Sequence, residues 1–225
     1  MSELKKLAVL LSGRGSNFEA IADAVAAGRI PAEIGLVISN RAEAPGIEAA
    51  RRRRLHARVI PSKAKTREQH EVEVMAALKE KNIDLICLAG YMRLLSSDFV
   101  RAFPNRILNI HPSLLPAFPG LEAQKQALQY GAKITGVTVH FVDEHLDHGA
   151  FILQKAVPVL DGDDESAFRR ASWSKSTSLI QKPLTLSSAA NMRLSAGECC
   201  QSAAKLHARK FSPAIIEPHA WLPRC

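Results

Sequence analysis

The feature that most constrains the fold is an alternation of short apolar runs with helical segments through the first 140 residues of this 225-residue chain. The apolar runs lie at residues 7–11, 34–39, 58–60, 85–89 and 107–110, and the helical segments lie near 18–27, 45–55, 66–81 and 97–103. Strands that alternate with helices pair in parallel, and the helices cross over the faces of the sheet. The sequence therefore predicts an α/β fold with an open, doubly wound, mostly parallel sheet.

Two further patterns refine this prediction. Residues 135–141 and 151–159 are β-type runs joined by a polar turn, which indicates a hairpin at the sheet edge. The third helical segment shows the spacing i, i+3, i+4, i+7, which is typical of a helix. The residues at these positions are Val72, Met75, Ala76 and Lys79.

Charge divides the chain into two parts. The net charge is +8, yet residues 1–166 hold 21 Lys and Arg against 20 Asp and Glu, whereas residues 167–225 hold 9 against 2. We expect one globular domain over residues 1–166 and a divergent, basic, serine-rich tail over 167–225 that is poorly ordered. Because the first part is nearly neutral, nucleic acid is not an expected partner, and binding of nucleic acid by the tail is the weakest alternative.

Hydropathy and cysteine usage indicate the compartment. No run of about 18 apolar residues occurs, so we expect no membrane partner. The N-terminal apolar run ends at a glycine-rich turn and lacks the pattern of a signal peptide. The four cysteines show no metal-ligand or CxxC spacing. These features predict a cytoplasmic protein.

A glycine-rich turn, SGRGSN at residues 12–17, joins the first strand to the first helix. Its glycines allow close backbone approach, and the N–H groups of a helix N-terminus can bind a phosphate. The segment lacks the third glycine of a dinucleotide fingerprint and the Lys of a Walker A loop, which favours a mononucleotide or sugar phosphate. A tight turn with Ser16 or Asn17 as N-cap explains the pattern equally well.

The stretch ILNIHPSLLPAFPG at residues 107–120 ends a strand in polar residues and then turns through three prolines. Asn109 and His111 lie two residues apart, so their side chains share one face of the strand. Ligands of open α/β sheets bind at the carboxyl ends of the strands. A histidine can transfer protons near neutral pH, and an Asn amide can donate to an oxyanion. We therefore predict a catalytic pair here.

Two other segments carry candidate chemistry. The turn DEHLDHG at residues 143–149 offers three acids and two histidines. It is compatible with a metal site, with a solvated hairpin turn, or with a carboxylate that orients a catalytic histidine. The segment GYMRLL at residues 90–95 combines apolar side chains with an arginine, which suits a flat heteroaromatic ligand or a buried strand-to-helix corner.

Together these segments resemble the phosphoribosylglycinamide formyltransferase family over roughly residues 5–165. The most specific motifs are NIHPSLLPAFPG and TGVTVHFVDEHLDHG. The resemblance implies a Rossmann-like formyltransferase domain over residues 1–166. It also implies transfer of a formyl group from 10-formyltetrahydrofolate, as co-substrate, to the amine of 5'-phosphoribosylglycinamide in purine biosynthesis, with no metal. The small molecules glycinamide ribonucleotide and formyl-folate would then be the partners of a monomer or homodimer.

The resemblance also implies roles for individual residues. Asn109 and protonated His111 would stabilise the oxyanion, while Asp147 would oppose the charge of His111 and help to relay protons. The phosphate of the substrate would be bound by Gly15, Ser16 and Asn17. The formyl-folate pocket would be lined by Arg67, Met92, Arg93, Leu94, Leu95, Asn109, Asp143, Glu144, His145, Leu146 and Asp147. One departure is His148, which stands where the usual Leu-Asp-Gly-Gly motif has a glycine.

Related formyl-folate enzymes share the HPSLLP element, so two alternative functions stay open. The first is hydrolysis of formyltetrahydrofolate, and the second is folate binding by an inactive homologue. The phosphate loop SGRGSN favours the ribonucleotide enzyme over the deformylase and over methionyl-tRNA formyltransferase.

The resemblance ends in the tail, where an acidic helix with Glu-Glu-His followed by Tyr-Pro is expected. From the third base of the Phe168 codon, the shifted reading frame can encode Ser-Ala-Arg-Ile-Leu-Val-Glu-Glu-His and, two residues later, Tyr-Pro-Glu-Ala. We therefore hypothesise a frameshift near Ala167, real or introduced in sequencing, which would lower substrate affinity and stability. Genomic codons that do not give Glu-Glu-His in the shifted frame would refute it.

Overall fold

The computed structural model of this protein describes residues 4–163. Seven strands and five helices follow one another along this part of the chain. The strands are β1 (Lys5–Leu11), β2 (Ala32–Ser39), β3 (Ala57–Val59), β4 (Leu85–Leu88), β5 (Ile107–His111), β6 (Ile134–Phe141) and β7 (Phe151–Pro158). The helices are α1 (Ser16–Ala26), α2 (Pro45–Arg52), α3 (Arg67–Glu80), α4 (Ser97–Ala102) and α5 (Ala123–Tyr130). The predicted tail and the proposed frameshift lie outside the described residues.

The seven strands form one sheet in the order β3-β2-β1-β4-β5-β6-β7. Strands β1 to β5 pair in parallel, while β6 is antiparallel to both β5 and β7. The predicted mostly parallel, doubly wound sheet and its edge hairpin are therefore confirmed. The chain order reverses direction between β1 and β4. In open α/β folds, ligands bind in the crevice outside the carboxyl ends of the strands at such a switch point.

The central strand β1 shows how the sequence builds two layers of core. Alternate side chains point to opposite faces of a strand, and here Leu7 and Leu11 pack with Phe18 of α1 on one face. Ala8 and Leu10 pack with Val74 of α3 on the other face. Because both faces are covered by helices, β1 is a continuous apolar run rather than an alternating one.

Helix α3 is confirmed, but its buried face differs from the set of residues whose spacing predicted the helix. The helix begins with a capping box in which Thr66 accepts from the N–H of Gln69 and the Gln69 side chain accepts from the N–H of Thr66. The buried positions include Val74 and Leu78, whereas Val72 is 61% exposed. The buried face of α3 also includes the polar side chains of His70 and Glu71, which a search for apolar periodicity does not find.

Helix α5 did not emerge from the sequence pattern. Its buried residues are Ala123, Gln124 and Ala127, so no large apolar side chain marks the packed face. The helix begins and ends at residues with positive φ, Glu122 and Gly131. No helix within residues 4–163 is both long enough and apolar enough to cross a lipid bilayer.

Candidate active site

The strand β5 delivers the predicted pair Asn109 and His111 to the crevice. Both residues lie at the carboxyl end of β5, between the parallel neighbour β4 and the antiparallel neighbour β6. The side chain of His111 is only 5% exposed. The structure thus brings the two candidates to one edge of the sheet, where the parallel strands end.

Asp147 lies in the loop between β6 and β7 and contacts both members of the pair. Its Oδ2 atom is 3.3 Å from Nδ1 of His111 and accepts a 2.7 Å hydrogen bond from the N–H of Gly120. Its Oδ1 atom is 3.4 Å from Nδ2 of Asn109. The carboxylate is 8% exposed, and Asp147 adopts a positive φ of 50°. Two loops and β5 therefore converge on this one carboxylate.

The ring of His111 has an acceptor at each nitrogen. Besides the Asp147 carboxylate at Nδ1, the carbonyl oxygen of Phe118 lies 2.9 Å from Nε2. Both oxygens can only accept, so the ring can donate from Nε2 to the carbonyl of Phe118, while the carboxylate of Asp147 lies beside Nδ1. The site therefore holds the ring of His111 in one orientation between two oxygen atoms.

A further histidine, His140 of β6, completes the cluster and was missed by sequence reasoning. It pairs directly across from Asn109, and its Nε2 atom is 3.2 Å from Nδ2 of Asn109. Its Nδ1 atom lies 2.8 Å from the carbonyl oxygen of Phe141, so Nδ1 carries the proton and Nε2 accepts from the amide. Burial lowers the pKa of His140, which favours the neutral ring that this arrangement requires.

The loop after β5 is fixed to the edge hairpin by a buried hydroxyl. Thr138 of β6 accepts a 3.0 Å hydrogen bond from the N–H of Leu115 and donates a 2.7 Å bond to the carbonyl of Ser113. Gln154 of β7 donates to the carbonyl of Leu115 at 2.7 Å. These contacts hold the loop that supplies the Phe118 carbonyl and the Gly120 N–H to the cluster.

The predicted phosphate-binding residues lie at the N-terminus of α1. Gly15 is the N-cap with φ 81°, and no side chain caps the helix, so the alternative in which Ser16 or Asn17 is the N-cap was wrong. The first N–H groups of the helix have no intrahelical partner and carry the positive end of its dipole. A Cβ on Gly15 would lie 2.7 Å from Cα of Gly46, which shows how closely the two turns approach.

Ser12 connects this turn to the predicted folate segment. Its hydroxyl donates a 2.6 Å hydrogen bond to Oδ1 of Asn40 and accepts a 2.8 Å bond from the N–H of Met92. Met92 and Leu94 are 60% and 62% exposed, although they belong to an otherwise apolar segment. The carboxyl ends of β1, β2 and β4 are thereby linked, and apolar side chains are left available to a ligand.

The remaining predicted folate residues occupy separate elements. Arg67 is the first residue of α3 and pairs with Glu68, and none of its recorded contacts joins it to the Asn109 cluster. The loop between β6 and β7 is tied to α4, because Arg101 donates to Glu144 at 3.1 Å. Leu146 is 55% exposed and lies beside Gly120. The roles of these residues in ligand binding stay predictions.

The same loop gathers three potential metal ligands. Asp143, His145 and His148 each offer one possible ligand atom, and these three atoms lie within 4.8 Å of one another. No other such group of three occurs within residues 4–163. His148 Nδ1 is 2.9 Å from Oδ2 of Asp143, and the N–H of His145 donates to Oδ1 at 2.8 Å. Burial acts to raise the pKa of Asp143, but these hydrogen bonds outweigh it and the pKa is lowered.

The fold and the cluster define a class of protein. Contacts link His140 to Asn109, Asn109 to Asp147 and Asp147 to His111. This connected cluster lies at the carboxyl end of β5, and open α/β sheets bind their ligands at the carboxyl ends of their strands. An amide donor beside a chargeable imidazole can stabilise an oxyanion, and a buried carboxylate holds that imidazole in place. These features are typical of α/β enzymes that act at a carbonyl carbon.

Comparison with known proteins identifies the family within that class. The chain belongs to the formyl transferase family, whose sequence model matches residues 5–181. Phosphoribosylglycinamide formyltransferase of Escherichia coli is 44% identical over 160 residues, which cover 71% of this chain and 76% of that protein. The family expected from the sequence is therefore confirmed.

Two further proteins are similar to this chain. A trifunctional purine biosynthetic protein of Drosophila pseudoobscura is 52% identical over 164 residues, which are 72% of this chain but only 12% of that protein. The chain therefore spans a small part of such multifunctional relatives. The crystal structure of glycinamide ribonucleotide transformylase 1 from Symbiobacterium toebii superposes with a TM-score of 0.81 at 46% identity, covering 84% of this chain and 89% of that one.

Proposed function

We propose that this chain transfers the formyl group of 10-formyltetrahydrofolate to the amine of 5'-phosphoribosylglycinamide in purine biosynthesis. The observation that carries the proposal is the contact of Asn109, His111 and Asp147 at the carboxyl edge of the sheet. The cluster belongs to a chain similar to a phosphoribosylglycinamide formyltransferase over most of its described residues. The enzyme would act in the cytoplasm as a monomer or homodimer.

The substrates would enter the crevice from two sides. Gly15, Ser16 and Asn17 would bind the phosphate at the N-terminus of α1. Arg67, the segment 92–95 and the loop 143–147 would line the pocket for the folate. The exposed apolar side chains of Met92, Leu94 and Leu146 support this assignment, since a flat heteroaromatic ring needs apolar contact on its faces.

The reaction forms a bond between the substrate amine and the formyl carbon, and it breaks the bond between that carbon and N10 of the folate. The amine attacks the formyl carbon, a C–N bond forms, and the carbonyl oxygen becomes an oxyanion in the tetrahedral intermediate. The bond from that carbon to N10 of the folate then breaks, and the proton lost by the amine passes to N10. Asp147 and His111 are the buried groups at the site that can carry this proton.

Asn109 and His111 would stabilise the oxyanion in different ways. The amide nitrogen of Asn109 is oriented by His140 at 3.2 Å, while its contact to Asp147 is longer, at 3.4 Å. An incoming oxyanion can replace the longer contact and accept from the amide. His111, held between Asp147 and the carbonyl of Phe118, would supply positive charge beside it. No step of this scheme requires a metal.

A test is to follow loss of 10-formyltetrahydrofolate with and without the ribonucleotide. We expect turnover only when the amine acceptor is present. Formate release without an acceptor would instead identify a hydrolase, and folate binding with neither activity would identify an inactive homologue. The same assay measures KM for the ribonucleotide, which we expect to be raised by the altered residues 167–225.

A further inference from the structure

We propose that Asp143, His145 and His148 form a binding site for a divalent transition-metal ion of the Zn²⁺ type. Two imidazoles and one carboxylate make up the ligand set. Imidazole nitrogens favour zinc, nickel, copper and cobalt over the hard ions Mg²⁺ and Ca²⁺, which take oxygen ligands. The site is separate from the cluster proposed to transfer the formyl group.

The distances suit coordination after a small movement of exposed side chains. Ligand atoms sit about 2.0–2.2 Å from a bound zinc ion, so neighbouring donors are roughly 3–3.5 Å apart. His148 Nδ1 already lies 2.9 Å from one oxygen of Asp143, and His145 Nδ1 lies 4.0 Å from the other. The two histidine side chains are 76% and 72% exposed, so their rings can rotate toward an ion without disturbing the core.

The backbone of the loop holds the ligands together in advance. A Cβ on Gly149 would lie 2.0 Å from the carbonyl oxygen of Phe141 and 3.2 Å from the N–H nitrogen of Asp143. Only glycine permits this close contact between residue 149 and the backbone of Phe141 and Asp143. The contact brings the end of the loop next to its start, so that His148 lies beside Asp143. The N–H of His145 orients the carboxylate through its 2.8 Å hydrogen bond. Such outer contacts fix a metal ligand and raise affinity.

Metal binding would act on the reaction through the loop. Asp147 lies between the two histidines in sequence and contacts His111. An ion at the site would occupy Asp143 and His145, which the proposed function places against the folate. This consequence rests on the proposed function, and it predicts that zinc raises the KM for 10-formyltetrahydrofolate.

The direct test is calorimetric titration of Zn²⁺ into tag-free, folded full-length protein whose accessible cysteines have been alkylated. We expect one equivalent to bind, and at least about tenfold weaker binding in Asp143→Asn, His145→Ala and His148→Ala. His56→Ala, which removes an exposed histidine outside the loop, should leave the titration unchanged. Absence of binding in the parent protein, or equal binding in all variants, would overturn the proposal.

A spectroscopic arm and a kinetic arm separate the site from the enzyme's activity. With Cu²⁺, electron paramagnetic resonance should show coupling to two imidazole nitrogens, and the double variant His145→Ala/His148→Ala should lose it. If the parent protein shows no coupling to two imidazole nitrogens, the proposed ligand set is contradicted. Zinc should raise the folate KM of the parent protein but not of the double variant. If no formyl transfer is found at all, the proposed function fails while the titration still decides the metal site.

Discussion

His111 and Asp147 face each other through Nδ1 and Oδ2 at 3.3 Å, and their side chains are 5% and 8% exposed. A charge buried at this depth needs a partner, because removing an ion from water costs several kcal/mol. The Asp147 carboxylate would balance the charge of a protonated His111, and it accepts a hydrogen bond from the N–H of Gly120. The loop between β6 and β7 thus belongs to the proposed active site, together with the end of β5.

Removing the charge of Asp147 should impair turnover more than folding. Asp147→Asn keeps an oxygen that can accept from Gly120 but no longer opposes a protonated His111. We expect kcat to fall by roughly 10²–10⁴, the usual range for loss of an acid–base group. Steady-state kinetics measures this, with Asp161→Asn as the control because Asp161 is 92% exposed and pairs only with Lys133 among its recorded contacts. Equal kcat in the two variants would remove Asp147 from the mechanism.

His140 should act as a positioning residue for Asn109. His140→Phe keeps the buried ring but removes the acceptor 3.2 Å from the Asn109 amide. We expect kcat to fall about tenfold, since one buried hydrogen bond of roughly 1–2 kcal/mol orients the donor, while KM for both substrates changes little. His140→Gln, which restores a polar acceptor, should recover part of the rate. A rise in KM with unchanged kcat would argue against this role.

The turn at Gly15 should be intolerant of any side chain. Gly15→Ala adds a Cβ 2.7 Å from Cα of Gly46, whereas Gly28→Ala meets nothing within 4 Å although Gly28 also has positive φ. Both variants bear backbone strain of about 1–3 kcal/mol, but only the first displaces the N-terminus of α1. We expect a KM for the ribonucleotide at least about tenfold higher in Gly15→Ala than in Gly28→Ala. Similar KM values would place the phosphate elsewhere.

The free energy of unfolding should decrease as the pH is lowered from 7.5 to 5.5, because His70 is buried. Burial lowers the pKa of His70, whose Nε2 donates to the carbonyl of Ile60 at 2.9 Å. Below about pH 6.5, His70 binds a proton in the unfolded chain but not in the folded state. The contribution of the neutral His70 to the free energy of unfolding is therefore fully present above this pH and is lost as the pH falls. Urea unfolding at both pH values should show a smaller difference in His70→Gln than in the parent protein or in His56→Gln. An unchanged difference would contradict the assignment.

Cys87 should be inert to thiol reagents in the folded state. It lies within β4, and burial raises the pKa of its thiol to about 12. Because the thiolate is the reactive species, iodoacetamide at pH 8 should modify less than roughly a tenth of Cys87 in an hour, and all of it in urea. Peptide mapping by mass spectrometry reads out the result. Rapid modification without urea would show that the strand opens readily.

The positions of Asn109 and His111 were predictable from two general rules. Side chains two residues apart on a strand share a face, and open sheets bind ligands at the carboxyl ends of their strands. His140 was not found, since its strand reads as an ordinary buried run. Its contact with Asn109 follows only from the register of β5 against β6. Helix α5 and the buried polar residues of α3 were not found for another reason. Ala, Gln, His and Glu occupy their buried positions, whereas a search for apolar periodicity detects larger apolar residues. Packing partners, rather than local sequence, decided these features.

The most direct test of the account is single-turnover transfer from 10-formyltetrahydrofolate carrying a labelled formyl group, with the parent protein and His111→Ala side by side. The account predicts that the label appears on the amine of the ribonucleotide, at a rate at least about 100-fold lower in His111→Ala. Equal rates in the two proteins, or label recovered only as formate, would contradict it.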